Sequence, residues 1–184
     1  MTNLSYEKLK TGYLKLWHKA QVHTNRQAEL DYTIEHLIVS RKKRYQAVES
    51  VLRIPWYVVA VLHYREADCD FNRHLHNGDP LSERTVHVPA GRPTAGNPPF
   101  SWEESATDAL HYEGLDEVKN WCLSSILWNC EKFGGFGHFP YDINSSYLWS
   151  GTNQYKSGKV DEQLGVAALL KWLEHKKLII LQGG

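Results

Sequence analysis

Glu66 stands at the end of the run Trp56-Tyr-Val-Val-Ala-Val-Leu-His63, and thirteen residues on, past Asp68, Asp70, His74, His76 and Asn77, comes Asp79. Helical spacing from Val59 through Leu62 and His63 places Glu66 on an apolar face, where loss of water disfavours the charged carboxylate and raises its pKa. An acid held neutral in this way can donate a proton at neutral pH. Cleavage of a glycosidic bond needs such a donor for the leaving oxygen, and an inverting enzyme needs a second carboxylate about 6.5 to 9.5 Å away to activate water. Asp79 is the expected second carboxylate. The plainer alternative is a helix-end Glu66 paired with Arg65 or a nearby lysine, but so many reactive polar groups exceed what a solvated turn requires.

The histidines support a rival chemistry. His63 and Glu66 lie three apart on a helix, and His74, His76 and Asp79 follow closely, which is enough for a Zn²⁺-dependent amidase or peptidase. The more diagnostic HExxH is absent, and His74 and His76 equally suit hydrogen bonds that shape a loop. Cys69 is a weak nucleophile candidate, because it follows a helix and the macrodipole there disfavours a thiolate. Gly134-Gly-Phe-Gly137 lacks the spacing and the lysine of a phosphate-binding loop.

The elements that must position these groups are mainly helical. Leu9, Tyr13, Leu16, Trp17 and Ala20 recur at spacings of three and four, giving an amphipathic helix over residues 5–22. A second helix is expected from Arg26 to Leu52, capped by Thr24 or Asn25 and breaking near Arg41-Lys-Lys-Arg44. Pro55 suits the start of a third, apolar nearly all round and therefore central. From Phe71 to Pro99 the texture turns to Asn, Gly and Pro. Asn77-Gly-Asp-Pro80 predicts a turn and Arg84–Val88 a short strand, together a small hairpin or loop wall. Ser101 with Glu104 makes a capping box for a helix through Leu110, and further helices are expected over 115–132 and 160–175. Leu178-Ile-Ile-Leu181 reads as an apolar tail docked on the body.

The chain has 184 residues, 42% of them hydrophobic, enough for one globular domain with residues 1–53 as N-terminal accessory helices. Lysine plus arginine equal aspartate plus glutamate at 21 each, so no long-range field draws the chain to nucleic acid or an anionic membrane. Cys69, Cys122 and Cys130 cannot all pair within the chain and are expected as free thiols. The polar start is no signal peptide and no stretch reaches a membrane span, so the expected location is the cytoplasm of the producing cell. Seven tryptophans and ten tyrosines serve a core or line a groove. Asn144, Tyr147, Trp149 and Tyr155 suit the second role, since aromatic faces stack on sugar CH surfaces while amides bond acetamido groups. Equally, Tyr147 and Trp149 can pin an irregular loop to the core.

Two blocks carry a resemblance. Leu62-His-x-x-Glu-Ala, Asp70-Phe-Asn-x-His-Leu-His-Asn-Gly-Asp-Pro-Leu81 and Val88-Pro-x-Gly-Arg-Pro93, with Gly135-Phe-Gly-x-x-x-Tyr-x-Ile-Asn-Ser-x-Tyr-Leu-Trp-Ser-Gly-Thr-Asn-x-Tyr155, resemble lysozyme-family proteins of phage and bacterial origin. The resemblance spans about residues 54 to 175. It implies a mainly α, lysozyme-like (α+β) fold and an endolysin-like muramidase acting on bacterial peptidoglycan without a cofactor. Glu66 falls at the family's acid position. Asp79 falls where the distantly related goose-type lysozymes place a water-positioning acid, while Asp70 and Thr85 compete for that role in the manner of a Glu, Asp, Thr trio. His76, Asn77 and the aromatic segment are the implied substrate contacts. Such an enzyme reaches the wall through a delivery partner, either a pore-forming holin or an injection apparatus. Lytic transglycosylases share the implied architecture and proton donor but need no water base, and a non-catalytic wall-binding protein remains an alternative. The neutral charge and the proline-rich stretch at 89–99 depart from the family's pattern.

Overall fold

A computed structural model describes residues 4–141, 144–156 and 163–183. In chain order its helices are α1 (Tyr6–Lys19), α2 (Gln27–Tyr32), α3 (Lys42–Leu52), α4 (Trp56–Ala67), α5 (Trp102–Tyr112), α6 (Leu123–Gly134), α7 (Ser146–Trp149) and α8 (Val166–His175). Among the described residues β-structure is confined to two isolated bridges, Val22 with Thr152 and Arg73 with Pro80. The architecture is thus mainly helical. Contacts divide the chain into a unit of residues 36–119 and a unit that joins 1–35 to 120–184, so the first 53 residues are shared between the two.

In the unit of residues 36–119, α4 is the centre. Val58, Val59, Ala60, Val61, Leu62 and His63 are fully buried. Three valines in one turn and a half are poor helix formers by propensity, because branching at Cβ restricts their rotamers. Burial overrides this, at about 1.5–3 kcal/mol for each Val or Leu side chain removed from water. Pro55 precedes the first turn and its carbonyl accepts from Val58 and Val59 N–H at 2.8 and 3.2 Å. α3 packs against both α4 and α5. Arg44 on α3 forms a two-pronged pair with Glu103 on α5, at 2.6 and 2.8 Å, and lays its guanidinium over Phe71. The basic run at 41–44 is therefore partly structural and not simply a solvated face.

In the other unit, α1 packs against α6, and α8 against α2, α6 and α7. The stretch after α1 pairs with the loop after α7: His23 N–H donates to Gly151 O at 3.0 Å and Asn153 N–H to Gln21 O at 3.0 Å. Asp31 accepts from the Trp172 indole at 2.9 Å and from the Lys176 ammonium at 2.6 Å, fixing α2 to the end of α8. The three cysteines are unpaired, as expected. Ile179 docks while Ile180 stays exposed, so only part of the apolar tail is covered.

Three expectations are corrected. The long helix over 26–52 is interrupted at Thr33–Ile38 by a wider, π-type turn and at Val39–Arg41 by a tight one, in a β-branched stretch that also crosses the division between units. The helix expected from 115 begins only at Leu123: Leu115–Glu117 is a short turn belonging with α5, and Asn120, the first residue past the division, caps Cys122 N–H through its Oδ1 at 3.1 Å. Finally, no strand forms at Arg84–Val88, for a reason given below. The capping box of Ser101 and Glu104 forms in full. The start expected for the last helix, at 160, lies outside the described residues.

Gly165 is required by space. A Cβ there would lie 2.5 Å from Leu148 O and 2.7 Å from Ser150 N, both backbone atoms. Gly165→Ala is expected to cost about 1–3 kcal/mol in urea denaturation, whereas Gly137→Ala, with nothing within 4 Å of its Cβ, stays within about 0.5 kcal/mol of wild type.

Candidate functional site

Glu66 occupies the last turn of α4 and is half-buried. The helix stops because Asp68 and Cys69 both adopt left-handed backbone, at φ 50° and 58°. Two successive non-glycine residues in that region cost about 1–2 kcal/mol each, and the surroundings hold them there. Asp68 N–H donates to Tyr64 O at 3.0 Å, Cys69 N–H to His63 O at 3.4 Å, and the His63 ring bonds Asp70 O at 3.2 Å. The chain is thereby reversed immediately after the acid. Gly78, at φ +77°, sits so near that a Cβ would lie 3.4 Å from Glu66 O, so the Asn77–Asp79 turn rests against the helix end.

Asp79 organises that turn. Its Oδ2 accepts from Val86 N–H at 2.8 Å and His87 N–H at 3.0 Å, and its Oδ1 bonds His87 Nδ1 at 2.6 Å. Desolvation alone would raise its pKa, but these donors outweigh it and draw the carboxyl down to about 2. The same capture explains the missing strand: the N–H groups that a ladder at 84–88 would use are taken by a side chain. Asn77 closes the turn from within, its Oδ1 accepting from Asp79 N–H at 3.0 Å and its amide donating to His87 O at 3.1 Å.

The competing residues are structural by geometry. Asp70 accepts from Asn72 N–H at 3.0 Å and from Asn72 and Arg73 side chains, and these bonds, led by the Asn72 backbone, lower its pKa. Thr85 is buried and its hydroxyl donates to Pro89 O while accepting from Arg92 N–H at 2.9 Å. The His76 ring, 1% exposed, bonds Asp108 at 2.8 Å, and Arg92 grips the same carboxylate at 2.9 and 2.8 Å. His76 is corrected accordingly, from a substrate contact to a staple between the loop and α5.

The zinc alternative loses its ligands. His63 bonds Tyr45 OH at 3.2 Å through Nδ1 and Asp70 O through Nε2, and burial lowers its pKa to about 4. His74 bonds Ser105 Oγ at 2.7 Å and Glu83 O at 2.8 Å. A carbonyl can only accept, so Nε2–H donates in both rings, and Nδ1 of each is taken up by a hydroxyl, which leaves both nitrogens engaged. Among the described residues no group of three or more potential metal ligands is assembled.

The aromatic segment lies in the other unit. Trp149 is buried and Tyr147 packs its ring on Gly134, where a Cβ would come within 2.4 Å of it. Asn144 donates to Gln154 O at 2.7 Å, and Tyr155 is half-buried with its N–H on Thr152 O at 3.2 Å. Trp149 and Asn144 share the rim of a pocket of about 170 Å³ with Tyr13, His138, Ser145 and Glu131. Glu131 was not singled out from sequence. It is fully enclosed on α6, and burial raises its carboxyl to about 7 against the opposing bonds from Tyr13 and Ser145. Its signal was present: four residues after Leu127 and beside Cys130, it lies on the buried face of α6.

Compared with models of protein families, with curated proteins and with solved structures, the chain matches none.

His87→Ala removes one of the three donors to Asp79 and its Coulombic help, so the Asp79 carboxyl, followed by ¹³C NMR, should titrate clearly above 2. Because the folded pKa is depressed, Asp79 stabilises the fold fully above the unfolded value of about 4 and loses that contribution as pH falls towards 2. The variant should therefore unfold at a higher pH on acidification.

Proposed function

We propose that the chain is a lysozyme-like peptidoglycan hydrolase, a muramidase with Glu66 as proton donor. The observation that carries this reading is the setting of Glu66: the last turn of a helix buried from Val58 to Tyr64, a strained reversal directly after it, and a stapled turn packed against its backbone. Such a frame fixes the backbone that carries the carboxyl beside a folded wall, and protonation of a glycosidic oxygen needs an acid on a rigid support. The two sequence blocks that resemble phage and bacterial lysozymes supply the substrate class. Asp79 is ionised at every physiological pH, the state required of a water-activating base, and it also holds the wall in place.

One observation favours a second reading on the same residues. Three donors occupy the Asp79 carboxylate and leave it a weak base, which suits a lytic transglycosylase, whose sugar closes on itself to an anhydro end without a water base.

Purified peptidoglycan digested with wild type should release soluble glycan fragments, and Glu66→Gln, retaining the helical circular dichroism of wild type, should be slower by about 10²–10⁴. A fully active Gln variant removes Glu66 from the mechanism. End-group mass spectrometry divides the two readings: reducing ends with strong loss in Asp79→Asn mark the hydrolase, anhydro ends the transglycosylase. Wall binding with no fragments from any variant points to a non-catalytic wall-binding protein.

A further inference from the structure

We propose that the pocket between α1, α6 and the start of α7 binds a primary alkylammonium group, with Glu131 as its counter-ion. This goes beyond the reading of Glu66 and does not rest on it. The pocket's volume, about 170 Å³, is close to the roughly 150 Å³ that accommodates one benzene, so five or six non-hydrogen atoms fit. Its lining combines apolar side chains, Leu9 and Leu16 from α1 with Phe139 and Trp149, and polar ones. Glu131, with a side chain only 3% exposed, supplies its carboxyl to that lining.

The groups that face this carboxyl are Tyr13 from α1, whose hydroxyl donates to Oε2, His138 from the segment after α6, with Nε2 3.3 Å from Oε1, and Ser145 before α7. Burial keeps His138 below its ordinary pKa, so the ring is neutral near pH 7 and does not compensate the glutamate. Among the described residues this enclosed carboxylate meets two hydroxyls and a neutral imidazole but no lysine or arginine. A carboxylate in a lining that also holds leucines and aromatic rings complements an alkyl stem tipped with an ammonium, the stem having apolar side chains to meet and the cation the carboxylate. The ligand class is the end of a lysine-like or diamino-acid side chain, or a free alkylamine of that length.

Because the ammonium requires the ionised carboxyl, affinity rises with pH until Glu131 has lost its proton, near 7. The probe is n-butylammonium chloride, titrated into the full-length protein and followed by NMR shifts of Tyr13, His138 and Trp149, with n-butanol as the uncharged isostere. Saturable binding is expected, about tenfold tighter at pH 8 than at pH 6, and at least about tenfold tighter than butanol. Glu131→Gln should lose at least about tenfold in affinity for the ammonium while leaving that for butanol unchanged. Equal binding of the two probes to wild type, no shift of the pocket residues at either pH, or affinity independent of pH would each overturn the proposal. The wild-type comparison needs no variant, so a folding defect in Glu131→Gln leaves the test intact.

Discussion

The backbone of residues 68–100 must find hydrogen-bond partners without a sheet, and this constraint shapes everything around Glu66. A buried or half-buried N–H left unpaired costs as much as a lost hydrogen bond, so the accounting has to close. It closes in large part through backbone turns, with His74 N–H donating to Asp79 O at 2.7 Å, Leu81 N–H to Asn72 O at 3.0 Å and Thr85 N–H to Arg92 O at 2.8 Å, and for the rest through side chains. Asp79 takes two backbone N–H groups, Thr85 exchanges bonds with Arg92, Asn77 spans its own turn, and His74 donates to Glu83 O. Asp108 on α5 then receives both Arg92 and His76, and Ser105 on α5 receives His74. A loop tied in this way draws its order from backbone turns and polar side chains together, and not from a ladder.

The same economy decides what the histidines do. Spacing brought His63, His74 and His76 near two acids, which reads in sequence as a ligand set. In the fold each faces a different partner, because α4 turns His63 inward against Tyr45, Phe71 and Trp102, while the loop turns His74 and His76 towards α5. An imidazole has two ring nitrogens, and for His63 and His74 both are consumed by hydrogen bonds within the fold. Proximity along the chain is thus shared by a metal site and by a polar core, and only the direction of the side chains separates them.

Legibility followed the source of each element's order. α1, α4 and α5 were readable because apolar periodicity, a proline and a capping box are local signals that packing reinforces. The beginning of α6 was not, since periodicity runs unbroken from Leu115 into Leu123 while the division between units falls at Lys119 and Asn120, a tertiary fact with no local mark beyond Gly114. Arg84–Val88 had strand-like composition, but its N–H groups were claimed by a carboxylate five residues upstream of the segment. Glu66 and the Asp79 turn were legible as neighbours, whereas the bonds of Asp70, Thr85 and His76 were not: partners two to seven residues on, within an irregular loop, take up the first two, and Asp108 on α5 takes up His76. Glu131 was hidden because its enclosure depends on Tyr13 of α1 and on the segment at 138–145, which meet it only in the fold.

Asp79 and Glu131 show how far the environment and not the residue type sets a carboxyl's chemistry. Both are buried, so desolvation pushes each towards the neutral form. Asp79 meets two backbone N–H groups and an imidazole, all donors aimed at its oxygens, and ends as a permanent anion near 2. Glu131 meets hydroxyls, which give weaker support, and its burial prevails, leaving it near 7. The outcome turns on whether the chain can bring backbone donors to the carboxylate. In a loop without a ladder N–H groups are free to be captured; beside helices, whose N–H groups are already spent on carbonyls, they are not. A carboxyl enclosed between helices therefore tends to remain poised near neutrality, available for proton exchange or for an incoming cation, while one enclosed by a loop becomes part of the scaffold.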